Sequence, residues 1–460
     1  MSKLLSRRTL AAIAVCALIL PAAWAEELHV PGVYATIQAA IDAAQPGDEV
    51  VIAVGTYTGP GNRDLDFAGK AITVRSIDPT DPDIVATTII DCHGAGRGFH
   101  FHSAEGSDSI VAGLTITNGY VVPDGPTTGG GGICCDGSSP ALRHCVITGN
   151  AANDGGGVYC THSSPTLTDC TISENVARDD GGGLACHHGG PTLLNCTFTA
   201  NSAPSCGGGM YCVDGSPLSI DCAFSENKAG YCGGGFYSTE SNPTFTDCAF
   251  TENAVTEQSY VSAGGGLYCE GGTATLTGST VVANSSTREG GGVWCRDCTI
   301  TLADCTINGN SAEYTGGGIY AYASNSTLTD CTISENTAAH NGGITCPGSS
   351  TSLLTRCVIT RNSGTEGAGG ATFSAGSATL IDCTISENTG ATSGGVLGSP
   401  NTTLALSNCT ITGNSAGSSG GGADLWSCVA TFSNCTITWN SATRGGASTA
   451  RSVIRSSSTA

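Results

Sequence analysis

The side chains best suited to chemistry in this chain are carboxylates and imidazoles that recur at a fixed interval. Asp179 and Asp180 form the strongest carboxylate pair, with Arg178 beside them and Asn153-Asp154 lying 26 positions earlier. Such a set could serve polysaccharide cleavage, because a hydrolase needs paired carboxylates and a lyase needs a strong base near acidic calcium ligands. Aspartate also fills tight turns for conformational reasons alone, and that is the default reading here; calcium binding comes next. A second set, His162, His188, Asp214 and Glu240, is spaced 26 residues apart throughout. Two imidazoles and a carboxylate could share a transition metal if the fold stacked them, although an exposed polar turn would carry the same residue types. His100 and His102 alternate with Phe99 and Phe101, so both imidazoles share one strand face. With no third ligand in view they are expected at the surface.

Cysteine is the other reactive residue, with 25 in the chain. Eleven open a recurring phrase, from Cys145 and Cys170 to Cys409 and Cys435, and seven follow glycine runs, among them Cys135, Cys160 and Cys346. By parity both columns face inward, where a thiol is a good small hydrophobe. Residues stacked at ~4.8 Å lie further apart than the ~3.8 Å between Cβ atoms that a disulfide prefers, so a thiol core is expected even after export. Cys206 and Cys232, each just before a glycine run where the backbone can adjust, are the candidate disulfide.

The ends and the composition set the context. Lys3, Arg7 and Arg8, an apolar run from Leu10 to Leu20, and Ala23-Trp24-Ala25 read as a signal peptide over residues 1–25. Cys16 sits inside that apolar run and is not read as a lipidation site. No later stretch approaches the ~20 apolar residues of a membrane helix, so an exported, extracellular or outer-surface location is expected, with no transmembrane segment in the mature chain. Removing the signal leaves 14 basic against 38 acidic residues, a net charge of −24. That balance argues against nucleic acid, and with only Lys70 and Lys228 remaining it argues against anionic lipid.

These residues must be positioned by a repeat. Cys170-Thr171-Ile172-Ser173-Glu174-Asn175 recurs in variant form to the end of the chain. The phrases close on Asn118, Asn150, Asn175, Asn201, Asn227, Asn253, Asn284, Asn310, Asn336, Asn362, Asn388, Asn414 and Asn440, with steps of 26 from Asn175 except for one of 31. A glycine pair or triplet and an apolar residue intervene, as in Gly155-Gly156-Gly157-Val158. Alternation of period two on both sides of an odd-spaced bend predicts short strands, three per repeat, of four or five residues each. One repeat has too few apolar residues to bury a face alone. Stacking into an all-β, right-handed parallel β-helix closes the core. The asparagines from Asn150 onward are expected to form a buried ladder, and the glycines a corner. Thr36 can cap a short helix whose Ile37, Ala40, Ile41 and Ala44 would plug the open end of the rod. The domain reading is 1–25 signal, 26–128 cap and first coils, 129–446 repeats, and 447–460 a frayed or truncated tail.

The glycine-apolar signature and Phe224-Ser225-Glu226-Asn227 resemble the chlamydial polymorphic outer membrane protein repeat over residues 129–446. Tyr34 to Ile41, followed by Gly47-Asp48-Glu49-Val50-Val51-Ile52, resembles the N-terminal cap of pectin-lyase-like β-helix proteins. The first resemblance implies a surface-exposed or secreted passenger; the second fold also hosts polysaccharide lyases and hydrolases. No Asn-Thr-Asp, Gly-His-Gly or Arg-Ile-Lys sequence of the polygalacturonase type occurs. A non-catalytic display, adhesion or glycan-contact rod is therefore the leading expectation, with a glycan or a cell-surface protein as partner. A carbohydrate-active enzyme is the alternative. Two long loops, 119–129 and 254–263, project from the same edge five coils apart, about 24 Å. Tyr120, Val121, Val122, Tyr260 and Val261 are their expected exposed contacts.

Overall fold

The computed structural model describes residues 25–121, 129–444, 448–450 and 454–456. The signal-peptide reading, Cys16, Val122 and most of the expected tail lie outside them. Each coil of the repeat from Ala141 onward carries four strands, not three. In one coil these are Val158–Thr161, Thr166–Thr168, Thr171–Ser173 and Val176–Ala177. The fourth follows the asparagine and is two residues long, too short for any alternation to show in sequence. Every strand pairs in parallel with its counterpart one coil on, Val158 with Leu184, Thr166 with Thr192, Thr171 with Thr197 and Val176 with Ser202. Four sheets of 14, 17, 15 and 12 strands result among the described residues, here sheets I to IV in the order met along a coil. The whole is a parallel β-solenoid of about 16 turns.

The chain turns by one device used repeatedly. His162, Asp169 and Glu174 each have φ near +50°, and each is followed by a buried inward side chain, Ser163, Cys170 and Asn175. Left-handed backbone costs an L-residue about 1–2 kcal/mol, and the hydrogen bonds of the next residue offset it. Ser163 Oγ donates to Thr161 O at 2.8 Å, and Cys170 Sγ to Thr168 O at 3.3 Å. The glycine run is a fourth corner with two separate demands. Gly181 needs its φ of +68°, whereas a Cβ on Gly182 or Gly183 would sit 2.5 Å from the carbonyl oxygen of Gly208 or Gly209 in the next coil.

Inside, the cysteines of the two inward columns are buried, apart from the half-buried Cys435, and Phe198, Phe224 and Phe250 stack at 4.9 and 4.8 Å between centroids. Twelve asparagines, Asn150 through Asn440, run along one corner as a hydrogen-bonded column. Asn336 Nδ2 donates to Asn362 Oδ1 at 2.9 Å and to Ile307 O at 3.0 Å, while its backbone N–H reaches the same Asn362 Oδ1 at 3.0 Å. Asn118 is not a member of this column. It is exposed, has φ +54° and bonds Asp91, and Gly119 takes the inward place, donating its N–H to Asn150 Oδ1 at 2.8 Å.

The N-terminal end is closed by α1 (Ile37–Ala43), whose N-cap Thr36 accepts from Ala39 N and whose Ile37, Ala40 and Ile41 are buried. A second short helix, α2 (Pro82–Thr87), is capped by Asp81; it lacks the apolar periodicity that would mark it in sequence. No helix of the described residues is long and apolar enough to cross a membrane. Where cap and coils meet, Glu105 is 2% exposed and accepts from Ser103 N, Gly69 N and Ser138 Oγ, each at 2.8 Å.

Two stability tests follow from these contacts. Asn336→Ala strands both Asn310 donors and the Ile307 carbonyl, and should cost on the order of 1–3 kcal/mol in a thermal or denaturant melt; an unchanged midpoint would refute a supporting role for the column. For Glu105, burial alone would raise the pKa, but the hydrogen bonds from Ser103, Gly69 and Ser138 outweigh it and hold the carboxyl below its ordinary value. Its contribution is therefore complete above the unfolded pKa and lost as pH falls through the lower folded one. Glu105→Gln should melt earlier than wild type at pH 7, with the gap closing below about pH 4.

Candidate functional site

Sheet I carries an outward column in strict register, one of the two outward positions of each strand, and from Tyr211 to Tyr320 the residue in it is always aromatic. Tyr211, Tyr237, Tyr268, Trp294 and Tyr320 are successive partners along the sheet. Equal register forces equal side-chain direction, so the rings lie face to face. Centroid separations are 4.9, 4.8, 4.2 and 6.3 Å, with interplanar angles of 4°, 18°, 13° and 13°. Where the column has Ala185, the His187 ring fills the step, 5.7 Å from Tyr159 and 5.5 Å from Tyr211. The middle of the stack is covered at one side by Cys232 and Ala263, leaving Tyr268 7% and Trp294 6% exposed. Polar rims are satisfied, with Trp294 Nε1 donating to Glu289 at 3.1 Å and Tyr268 OH to Glu270 at 3.0 Å. Burial pushes the phenol pKa values of Tyr211, Tyr237, Tyr268 and Tyr320 up, so these rings carry no charge in the physiological range.

Beside this stack the longer 31-residue repeat spends its extra length on a loop over residues 256–262. Tyr260 at its tip is 90% exposed and Val261 is also exposed, as the sequence suggests. Arg288 lies over the Tyr260 ring at 5.1 Å and over the Tyr314 ring at 5.5 Å, a cation sandwiched between two aromatics. Three adjoining recesses share these walls: one over Trp294 and Tyr268, one at the Arg288 sandwich, and a trough beyond Tyr320. The sequence signal for this face was present, a glycine run followed by an apolar residue and then Tyr or Trp, but only stacked register turns that spacing into a surface.

The other loop differs from expectation. Tyr120 is half-buried and accepts a hydrogen bond from Arg178 Nη2 at 2.6 Å, and Val121 is buried. Arg178 is thereby turned to Tyr120, and no ion pair with Asp179 or Asp180 occurs among the described residues. Asp154, Asp179 and Asp180 bring one oxygen each within 4.8 Å of one another, the one such trio among the described residues. Asp180 N donates to Asp154 Oδ1 at 3.3 Å and Cys206 N to Asp180 Oδ1 at 2.8 Å, while burial raises the pKa of Asp154 and Asp180. Oxygen ligands of this kind suit calcium. For hydrolysis the carboxylates lie at or below the short limit of the roughly 5–9.5 Å range that glycosidases use.

His162, His188, Asp214 and Glu240 all occupy the left-handed corner that ends a sheet I strand, with φ of 48–52°. Neighbours meet in pairs, His162 on His188 at 5.0 Å and His188 Nδ1 to Asp214 at 3.4 Å, and no three of the four converge. Their spacing is the spacing of a corner. Cys206 and Cys232 pair across adjacent coils, and both are free thiols. His100 is half-buried, not fully at the surface: its Nε2 is buried, and desolvation lowers its pKa to about 4. His102 beside it is exposed and lies 3.4 Å from Asp66.

Fold and face together define a solenoid with an outward aromatic face. The chain belongs to the right-handed β-helix family, whose "right handed beta helix region" matches residues 83–229 and 265–437. No curated protein matches it in sequence. Among solved structures it is similar to a mannuronic acid specific polysaccharide family 6 lyase from human gut microbiota (13% identity, 88% of this chain and 86% of that one, TM-score 0.37). It is also similar to a mannuronan C-5 epimerase A-module of Azotobacter vinelandii (12% identity, 90% and 95%, TM-score 0.26) and to the Siphovirus 9NA tailspike receptor binding domain (10%, 91% and 76%, TM-score 0.22). No activity transfers to this chain from likenesses of that size.

The stack makes its own prediction. Trp294→Ala empties the middle of the column and should cost about 3–5 kcal/mol, seen as an earlier melt together with loss of near-ultraviolet dichroism from the ordered rings. Stability equal to wild type would mean that the rings contribute little by stacking.

Proposed function

We propose that this is a non-catalytic contact rod, exported to the cell surface or beyond, that binds glycan along the aromatic side of sheet I. The observation that carries the reading is the concentration of Tyr260, Arg288, Tyr314, Trp294 and Tyr320 around three adjoining recesses, with Tyr260 almost wholly exposed. Exposed aromatic groups held by a rigid scaffold supply contact area at little entropic cost. The likeness of the repeat to the polymorphic outer membrane protein repeat supports a place at the surface. The mature charge of −24 disfavours polyanionic partners unless a cation bridges them.

A second reading, a carbohydrate-active enzyme of lyase or hydrolase type, is supported by the convergence of Asp154, Asp179 and Asp180. The arginine beside these carboxylates, Arg178, is committed to Tyr120. The two readings separate in one experiment. Shortening loop 256–262 to restore the 26-residue step should leave the melt near wild type and weaken binding on a glycan array and to cells. Binding unchanged by the shortening would remove the contact reading. Cleavage of polysaccharide that disappears in Asp179→Asn or Asp180→Asn would establish the enzyme instead.

A further inference from the structure

The aromatic column of sheet I stops abruptly. Tyr320 pairs in register with Thr345, Thr345 with Thr372 and Thr372 with Leu397, so the large rings give way to two threonines. One face of Tyr320 is stacked on Trp294; on the other side no aromatic ring lies against it among the described residues. Because the rings stack along the rod, that second face looks down the axis, and the change from ring to threonine leaves a trough of about 440 Å³ with Tyr320 as its end wall.

The trough is built of polar groups. Asn341 Nδ2 donates to Thr315 Oγ1 and Thr372 Oγ1 donates to Asn341 Oδ1, both at 2.9 Å, which fixes the carboxamide at the rim. On the floor Thr345 is 4% exposed, and its Oγ1 has no hydrogen-bond partner. An unpaired buried hydroxyl is costly, and a turn about χ1 that brings Oγ1 to the trough would let a ligand hydroxyl supply the partner that the protein does not. Charge narrows the ligand further. No Arg or Lys lines the trough, and the imidazole at its wall, His340, lies 3.8 Å from the Glu366 carboxylate. A carboxylate or sulfate would find no free cation there. An all-apolar ring would leave Thr345 unpaired.

We propose that the trough beyond Tyr320 seats an uncharged saccharide ring, stacked by its C–H face on Tyr320 and hydrogen-bonded by a ring hydroxyl to Thr345. This deepens the glycan-contact reading and rests on it. Pyranose C–H groups meet the negative face of an aromatic ring favourably, and the ring hydroxyls are left to face the polar rim. A unit held here would continue the protein's own stack by one step, with the chain of a longer polymer free to run on over Thr372 and Leu397.

Titration calorimetry of the mature protein with neutral gluco-, manno- and galacto-oligosaccharides, and with oligogalacturonate, tests this. At least one neutral oligosaccharide should bind and the oligogalacturonate should not. Tyr320→Ala should weaken that binding about tenfold, Tyr320→Phe should retain it, and Thr345→Val should weaken it several-fold. Ser374→Trp, which fills the trough from the opposite wall without touching the stack, should block binding, and it keeps the test valid if Tyr320→Ala does not fold. Binding of a neutral oligosaccharide that survives both Tyr320→Ala and Ser374→Trp would overturn the trough while leaving a glycan-contact rod standing. Preference for oligogalacturonate would overturn the ligand class. No saccharide bound by wild type, in calorimetry and on the array alike, would overturn the trough and the glycan reading together.

Discussion

Parallel register at a constant step is the constraint on which this molecule depends. A coil that returns one residue early or late places every side chain of a strand on the wrong face, because side chains alternate at period two. The chain holds register with corners, not with strand length. Each left-handed residue turns the path by a fixed amount, and the inward residue after it is locked to the coils on either side. The 31-residue repeat shows how strict this is: its extra residues are gathered in a single loop over 256–262, and Ala254 still meets Ser285 in sheet IV.

From that constraint come columns, and each column takes the residue type its surroundings allow. A buried corner that must satisfy backbone groups takes asparagine. A buried corner with two carbonyls in reach takes cysteine or serine, as where Ser279 replaces the thiol and accepts from Cys248 N at 3.1 Å. An outward strand position beside a glycine corner has room for a ring, since the adjacent backbone carries no Cβ. The aromatic stack is thus an outcome of repeat geometry as well as a surface that can be used.

How far the sequence could be read follows from the same logic. Inward columns were legible because asparagine and cysteine recur without drift and parity assigns their side. The helix under Thr36 was legible from its cap and stripe. The fourth strand was hidden, since Val176–Ala177 has no period to detect. His162, His188, Asp214 and Glu240 looked like ligands because spacing alone cannot separate a coordination column from a corner that tolerates polar residues at positive φ. Tyr120 looked exposed because nothing local announces Arg178, 58 residues away. The trough was out of reach for a related reason: it is made by a size step between Tyr320 and Thr345, and a step exists only once the two are neighbours.

The asparagine column has an orientation as well as a position. In each coil a backbone N–H and an Nδ2 both point at one atom of the next asparagine, so that atom must be an acceptor and the amide cannot be flipped. The carboxamides from Asn150 to Asn414 are thereby aligned the same way, each giving one Nδ2 hydrogen to the asparagine of the next coil and, as Asn336 does to Ile307, the other to a carbonyl of the coil before. Strand hydrogen bonds alternate in direction between coils and largely cancel, but the carboxamide dipoles add and polarise one another. The rod is electrically a vector, with an acceptor end near Gly119 and a donor end near Asn440, and its two tips are chemically unlike before any charged residue is considered.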